Sequence, residues 1–232
     1  MFTDKSSKQN AGGPAGRDPK ERRGRGRPRD PERMARVLET AKKHFTEHGY
    51  DGASIDAIAA ESGVSKVTIY KYFPTKAELF RAGITHRVEA QFAGVDAGEL
   101  DPRNPREALT LIGRAFVGLM RSPDVIKHHR TLYGAQGVDP AAAESFFAAG
   151  PRKIVDAVAF YLRVARKAGS VNVTDPDLAA NQYLSLYLGL GQIRALLGLS
   201  LPSKREDDEL VRANVDLFLR AVAPATRARA RK

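Results

Sequence analysis

Residues 53–80 read ASIDAIAAESGVSKVTIYKYFPTKAELF, and within them two short helical stretches meet at Gly63-Val64-Ser65. Ser54 is an N-cap for the first stretch, which places Ile55, Ile58 and Ala59 on one face before Gly63 closes it. Ser65 opens the second stretch, which runs to Phe73 and is stopped by Pro74. Glycine permits the turn and Val64 plugs the gap between the helices, which is the spacing of a helix-turn-helix. In that arrangement the second helix enters a DNA major groove. On a wheel of about 100° per residue, Ile69 and Phe73 share the buried side, with Val67 and Lys71 opposite and Thr68 and Tyr70 flanking them. An exposed Val beside a Lys suits a thymine methyl next to a base or phosphate acceptor. Between Ser62 and Ala77 the charged residues are Lys66, Lys71 and Lys76, with no acid, although residues 34–80 as a whole carry six basic and six acidic groups. The plain alternative is a small helical subdomain whose lysines are merely solvated.

Working outward, Asp30 and Pro31 supply an N-cap and an N1 proline, and Met34, Val37, Leu38, Ala41 and Phe45 form a helical stripe that Gly49 ends. Thr75 and Glu78 form a capping box for a fourth helix that carries Leu79 and Phe80 toward Phe92. Beyond Gly94 the pattern stays helical, punctuated by Pro and Gly, over 109–120, 125–133, 141–149, 154–167, 178–197 and 206–222. Alternation occurs only at Val171-Asn172-Val173. The fold class expected is all-α, with about nine helices. Four regions follow: a basic arm at 1–29, too poor in apolar residues to fold alone; a three-helix DNA-binding domain at 30–80; a ligand-binding and dimerisation domain at 81–223; and a basic tail at 224–232.

The 232 residues carry a net charge of +11, of which residues 1–33 hold +5 and the last nine residues +4, leaving the middle nearly neutral. A basic excess at the ends reads as a footprint for a polyanion, with nucleic acid the leading candidate. Zero cysteines exclude a disulfide scaffold, a Cys-ligated zinc module and a thiol nucleophile. The longest uncharged run, Leu178 to Ile193, is interrupted by Asn181, Gln182 and Gln192 and is too short to span a bilayer. No apolar segment follows the N-terminal lysines, so a cytoplasmic location without membrane association is expected. His128-His129 is not a metal pair, because adjacent helical positions diverge by about 100°. No metalloprotease, nucleophile-elbow or phosphate-loop motif occurs, so neither an enzyme nor a cofactor is expected.

The ordered string S-x-x-x-I-A-x-x-x-G-V-S-K-x-T-I-Y-x-Y-F-x-x-K-x-E-L-F from Ser54 to Phe80 closely resembles the DNA-binding domain of TetR/AcrR-family transcriptional regulators. The resemblance implies an all-helical homodimer on a double-stranded, palindromic operator, with a variable regulatory domain responding to a small-molecule effector. Carried over by position, it implies DNA contacts at Ser54, Lys66, Val67, Thr68 and Lys71, and backbone-holding roles for Tyr70, Tyr72 and Lys76. The wheel places Tyr72 nearer the buried side than the resemblance does. Gly24-Arg25-Gly26-Arg27-Pro28-Arg29 resembles an AT-hook core, in which Arg25 and Arg27 would enter a narrow minor groove.

The remainder, with HHRTLYG, FFAAGPRKIVDAVAFYL, DPDLAANQYLSLYLGL and VDLFLRAV, is similar to the AefR-type regulatory domain. Candidate ligand-binding residues are Phe116, Met120, His129 and Tyr133, together with Phe147, Tyr161, Tyr183 and Tyr187, since aromatic groups with polar tips between bundle helices are a common form of ligand site. They are equally read as core aromatics. Leu178, Leu186, Leu196, Val211, Val215 and Phe218 are candidates for a four-helix dimer seam. A ligand-responsive repressor is the leading expectation. The alternatives are an architectural DNA-binding protein without a ligand and, more distantly, a helical enzyme with an accessory DNA-binding domain.

Overall fold

The structure is a computed structural model that describes residues 31–134 and 140–224; Arg25, Arg27, the arm and the end of the basic tail lie outside the described residues. All regular secondary structure among the described residues is helical. The N-terminal helices are α1 (Pro31–Gly52), α2 (Ile55–Ser62), α3 (Lys66–Tyr72) and α4 (Lys76–Gln91). After them come α5 (Pro105–Arg121), α6 (Pro123–Gly134), α7 (Pro140–Phe147), α8 (Lys153–Lys167), α9 (Pro176–Ser185), α10 (Leu190–Leu196) and α11 (Lys204–Ala221).

Local chemistry explains most of these boundaries. The Ser54 and Ser65 hydroxyls accept from the amides of Ala57 and Thr68, and Gly63 between them takes the left-handed conformation (φ 68°) that a side chain would resist. Thr75 caps α4, and a reciprocal Ser203–Glu206 capping box starts α11. Gly49 ends the first regular run of α1, as expected, with φ 71° and ψ −179°; a short further turn reaches Gly52, and Lys76 Nζ donates to the Asp51 carbonyl (3.1 Å) there. Two expectations are corrected. Gly150-Pro151 does not separate two helices: residues Ala148–Arg152 form a π-turn that joins α7 to α8, a wider turn that tolerates the missing proline N–H. The single helix expected over 178–197 is two, because the chain turns at residues 186–189 before α10 begins. Val171-Asn172-Val173 is not a strand; both valines are buried, and the Asn172 amide donates to the Val222 carbonyl (2.7 Å).

Two hydrophobic clusters organise these helices. One joins Val37, Ala41 and Phe45 of α1 to Ile58, Val64 and Ile69, with Leu79 and Phe80 of α4. The other joins α5, α8, α9 and α11 through Leu109, Ile112, Val158, Leu162, Tyr183, Val211 and Val215. Each fully buried aliphatic side chain stabilises its cluster by about 1.5–3 kcal/mol. α4 belongs to both, giving Leu79 and Phe80 to the first and Val88 to the second. At the centre of the larger cluster the Tyr187 hydroxyl donates to the Tyr183 oxygen (2.8 Å), and Tyr183 donates to the Leu109 carbonyl (2.5 Å). Gly113 makes room for them, since a Cβ there would lie 2.6 Å from the Tyr187 oxygen.

Candidate nucleic-acid interface and interior cavity

The caps and the buried Ile69 hold α3 with one face outward. Val67 is 81% exposed and Tyr70 38%, an unusual display of apolar surface unless something packs on it. Lys71 is exposed and has no hydrogen-bond or ion-pair partner among the described residues. The other lysines are held: Lys66 Nζ pairs with Asp56 (2.8 Å), which raises its pKa through the hydrogen bond and the charge, and Lys76 lies 4.9 Å from the Tyr50 ring centroid. The Thr68 hydroxyl is 2.8 Å from that of Ser65. Ser54 is exposed, but its oxygen is used in capping α2. Tyr72 is half-buried, as the wheel indicates. The protein therefore presents Val67, Tyr70 and Lys71 as the free surface of α3, flanked by groups that hold its orientation.

A second feature is a cavity of about 190 Å³, partly open beside Tyr133 and Leu188, bounded by α1, α4, α5, α6, α7, the π-turn and α8. Phe45, Phe80, Ile84, Val88, Leu119 and Ile154 supply much of its apolar wall. Of the residues expected to bind a ligand, Phe116, Met120, His129 and Tyr133 line it. The other four do not. Phe147 is half-exposed against the Arg152 guanidinium, 5.5 Å from it. Tyr161 is buried and donates to the Asp101 carbonyl (3.1 Å), and burial pushes its pKa up to about 12. Tyr183 and Tyr187 satisfy each other in the core, where burial raises both, Tyr187 to about 12. Their polar tips are used in folding.

Sequence reasoning missed His128, Arg87, Phe80 and Phe146 as lining residues. One of them was findable: Ala142, Phe146, Ala149 and Gly150 follow helical spacing, which selects Phe146 rather than Phe147 for the inner face. Burial, then the neighbouring His129 and Arg87 charges, push His128 down to about 4; burial and Arg87 also lower His129. Both imidazoles are thus neutral near pH 7. His128 Nε2 and His129 Nδ1 are buried without a hydrogen-bond partner among the described residues. Arg87 is itself lowered by burial, and its guanidinium meets Asp124 of α6 at 3.2 Å, as Lys42 of α1 does at 3.5 Å. One carboxylate therefore ties α6 to both α4 and α1.

The expected dimer residues also divide. Val211, Val215 and Phe218 are buried in the protomer's own core, with Phe218 4.9 Å from Tyr183 between ring centroids, so they have no surface to offer a second copy. Leu186 and Leu196 are half-buried, and only Leu178 is well exposed. A run of exposed apolar side chains lies on Leu188, Leu190, Ile193, Leu197, Leu199 and Leu201, in and around α10. Arg130 of α6 caps that helix, donating to the carbonyls of Ala195 (2.6 Å) and Leu196 (2.8 Å).

An outward α3 on a three-helix head, continued by α4 into a helical domain with an apolar cavity, defines a helix-turn-helix regulator. Residues 37–82 match bacterial regulatory proteins of the tetR family, and residues 107–224 match the C-terminal domain of AefR-like transcriptional repressors. The chain belongs to the TetR family of DNA-binding transcriptional regulators. The HTH-type transcriptional regulator YezE of Bacillus subtilis is 27% identical over 161 residues, 68% of this chain and 81% of that protein. The HTH-type transcriptional activator FasR of Mycolicibacterium smegmatis is 36% identical over 95 residues, 41% of this chain and 43% of its own length. Among solved structures, the flavonoid-responsive regulator FrrA superposes with a TM-score of 0.65 at 30% identity, covering 85% of this chain and 100% of that one. Among the described residues, no helix is long and apolar enough to cross a membrane.

Proposed function

We propose that this protein is a homodimeric repressor that binds a palindromic operator through α3 and is released by a small apolar or amphipathic effector bound in the interior cavity. The observation that carries the reading is α4: its first turns support the DNA-reading head, and its later turns supply Ile84, Arg87 and Val88 to the cavity wall. A ligand there changes DNA affinity only through its differential affinity for the two arrangements of the head. The kinship with FrrA, described as flavonoid-responsive, supports a small-molecule response, and the match to AefR-like repressors supports repression. A second copy is the occupant proposed for the leucine surface around α10, because symmetric helix-turn-helix readers need a two-fold partner to span two half-sites. Footprinting the DNA adjacent to the coding region tests the proposal. A protected inverted repeat that a cavity-binding compound exposes supports it. Uniform coverage of any DNA favours an architectural binder.

A further inference from the structure

The chemistry of the cavity wall narrows the effector, on the reading that the cavity is the effector site. Its volume of about 190 Å³ has room for a compact aromatic compound, since a dry apolar cavity of about 150 Å³ accepts benzene. Its walls favour flat rings: His128 lies 5.8 Å from Phe80 and 5.3 Å from Phe146, and His129 lies 6.0 Å from Phe146, between ring centroids. Consecutive positions on α6 diverge by about 100°, yet both imidazoles meet the same phenyl ring, so they flank one part of the wall.

Charge and hydrogen bonding then select the polar group. No carboxylate lines the cavity among the described residues, whereas Lys42 and Arg87 do. A cation entering it would meet no counter-charge on the wall and would be repelled by Lys42 and Arg87. An anion would have to compete with Asp124, which already holds Arg87 and Lys42. The unmet hydrogen-bonding capacity is that of His128 Nε2 and His129 Nδ1, one nitrogen on each ring; both atoms are covered by protein, so each ring must turn to present its nitrogen to a ligand. A neutral imidazole nitrogen is a donor in one tautomer and an acceptor in the other, and a hydroxyl serves either because it both donates and accepts. We propose that the cavity binds an uncharged aromatic compound bearing a hydroxyl group, with the hydroxyl held by His128 and His129 and the ring packed against Phe80 and Phe146.

The test is fluorescence titration of the full chain, without DNA, with 1-naphthol, naphthalene, 1-naphthoate and 1-naphthylmethylammonium. These probes share a ring system and differ in the polar group. The expected ranking has 1-naphthol at least tenfold tighter than naphthalene and tighter than both ions. In the double variant His128→Leu, His129→Leu, naphthalene binding is retained and the advantage of 1-naphthol falls to within about twofold. Equal binding of naphthol and naphthalene, preference for either ion, binding of none of the four, or a hydroxyl preference that survives the double substitution overturns the proposal. The wild-type ranking needs no variant, so misfolding of the double variant leaves the test decisive. Because DNA is absent, the ranking is independent of operator release. Release failing while the ranking holds would overturn the regulatory reading alone.

Discussion

Burial holds the His128 imidazole neutral, with its pKa pushed down to about 4 from the ordinary 6.5, so between those values the unfolded chain binds a proton that the folded chain refuses. Stability from this group is complete above pH 6.5 and is lost as the pH falls toward 4, a change of about 3 kcal/mol. His129 is lowered in the same direction by burial and by Arg87. His128→Leu should therefore flatten the decline in urea-unfolding free energy between pH 7.5 and 4 relative to wild type; parallel declines would show that His128 is solvated. On α3, Lys71 and Val67 are unengaged while Asp56 already pairs with Lys66. Lys71→Ala should weaken operator binding by about 1–3 kcal/mol, the worth of a base contact, with little loss on random DNA. Lys66→Ala should cost less. Equal losses on both DNAs, measured by fluorescence anisotropy, would make Lys71 a phosphate contact.

Helix α10 is where the second copy is expected to dock, and its outer surface can be changed without touching the core. Leu190→Arg with Leu197→Arg, at positions 79% and 71% exposed, should give folded monomers by light scattering that lose operator binding. Val215→Arg should instead unfold the chain, because a buried unpaired charge costs several kcal/mol. A dimer persisting in the Leu190, Leu197 variant would move the seam elsewhere. Val211, Val215 and Phe218 have the apolar spacing that either a core or an interface produces, and only the position of α5 and α9 shows that they belong to the core. The head was far more legible, since Ser54, Gly63, Ser65 and Pro74 act on neighbours within four residues and mark their helices locally. The cavity was legible only in part. Phe80, Arg87, His128 and Phe146 come from three helices whose meeting is a long-range event, and Tyr183 and Tyr187 carry hydroxyls whose partners are invisible until α5 packs against α9. Gly150-Pro151 misled because a π-turn can absorb a proline that would break a regular helix.

Over the whole molecule, charge and shape divide the work. On the proposed reading, the +5 carried by residues 1–33 supplies sequence-independent attraction to DNA and α3 reads the bases. Removal of residues 1–29 should leave the helical content unchanged by circular dichroism and reduce the slope of log affinity against log salt by about 0.9 for each phosphate that the arm neutralises. An unchanged slope would mean that these residues do not touch DNA. The Asp124 bridges to Arg87 and Lys42 place a charged link from α6 to α4 and α1 beside the cavity, which is the route by which the proposed effector would act on the head. The central claim is that a surface of three side chains on α3 selects one DNA sequence. The most direct measurement is the ratio of dissociation constants, at physiological salt, for the footprinted operator and a scrambled duplex of equal length. The account predicts a preference of about 10³ or more, as for specific DNA readers, falling about fivefold or more in Lys71→Ala. Equal affinity for both duplexes would contradict it.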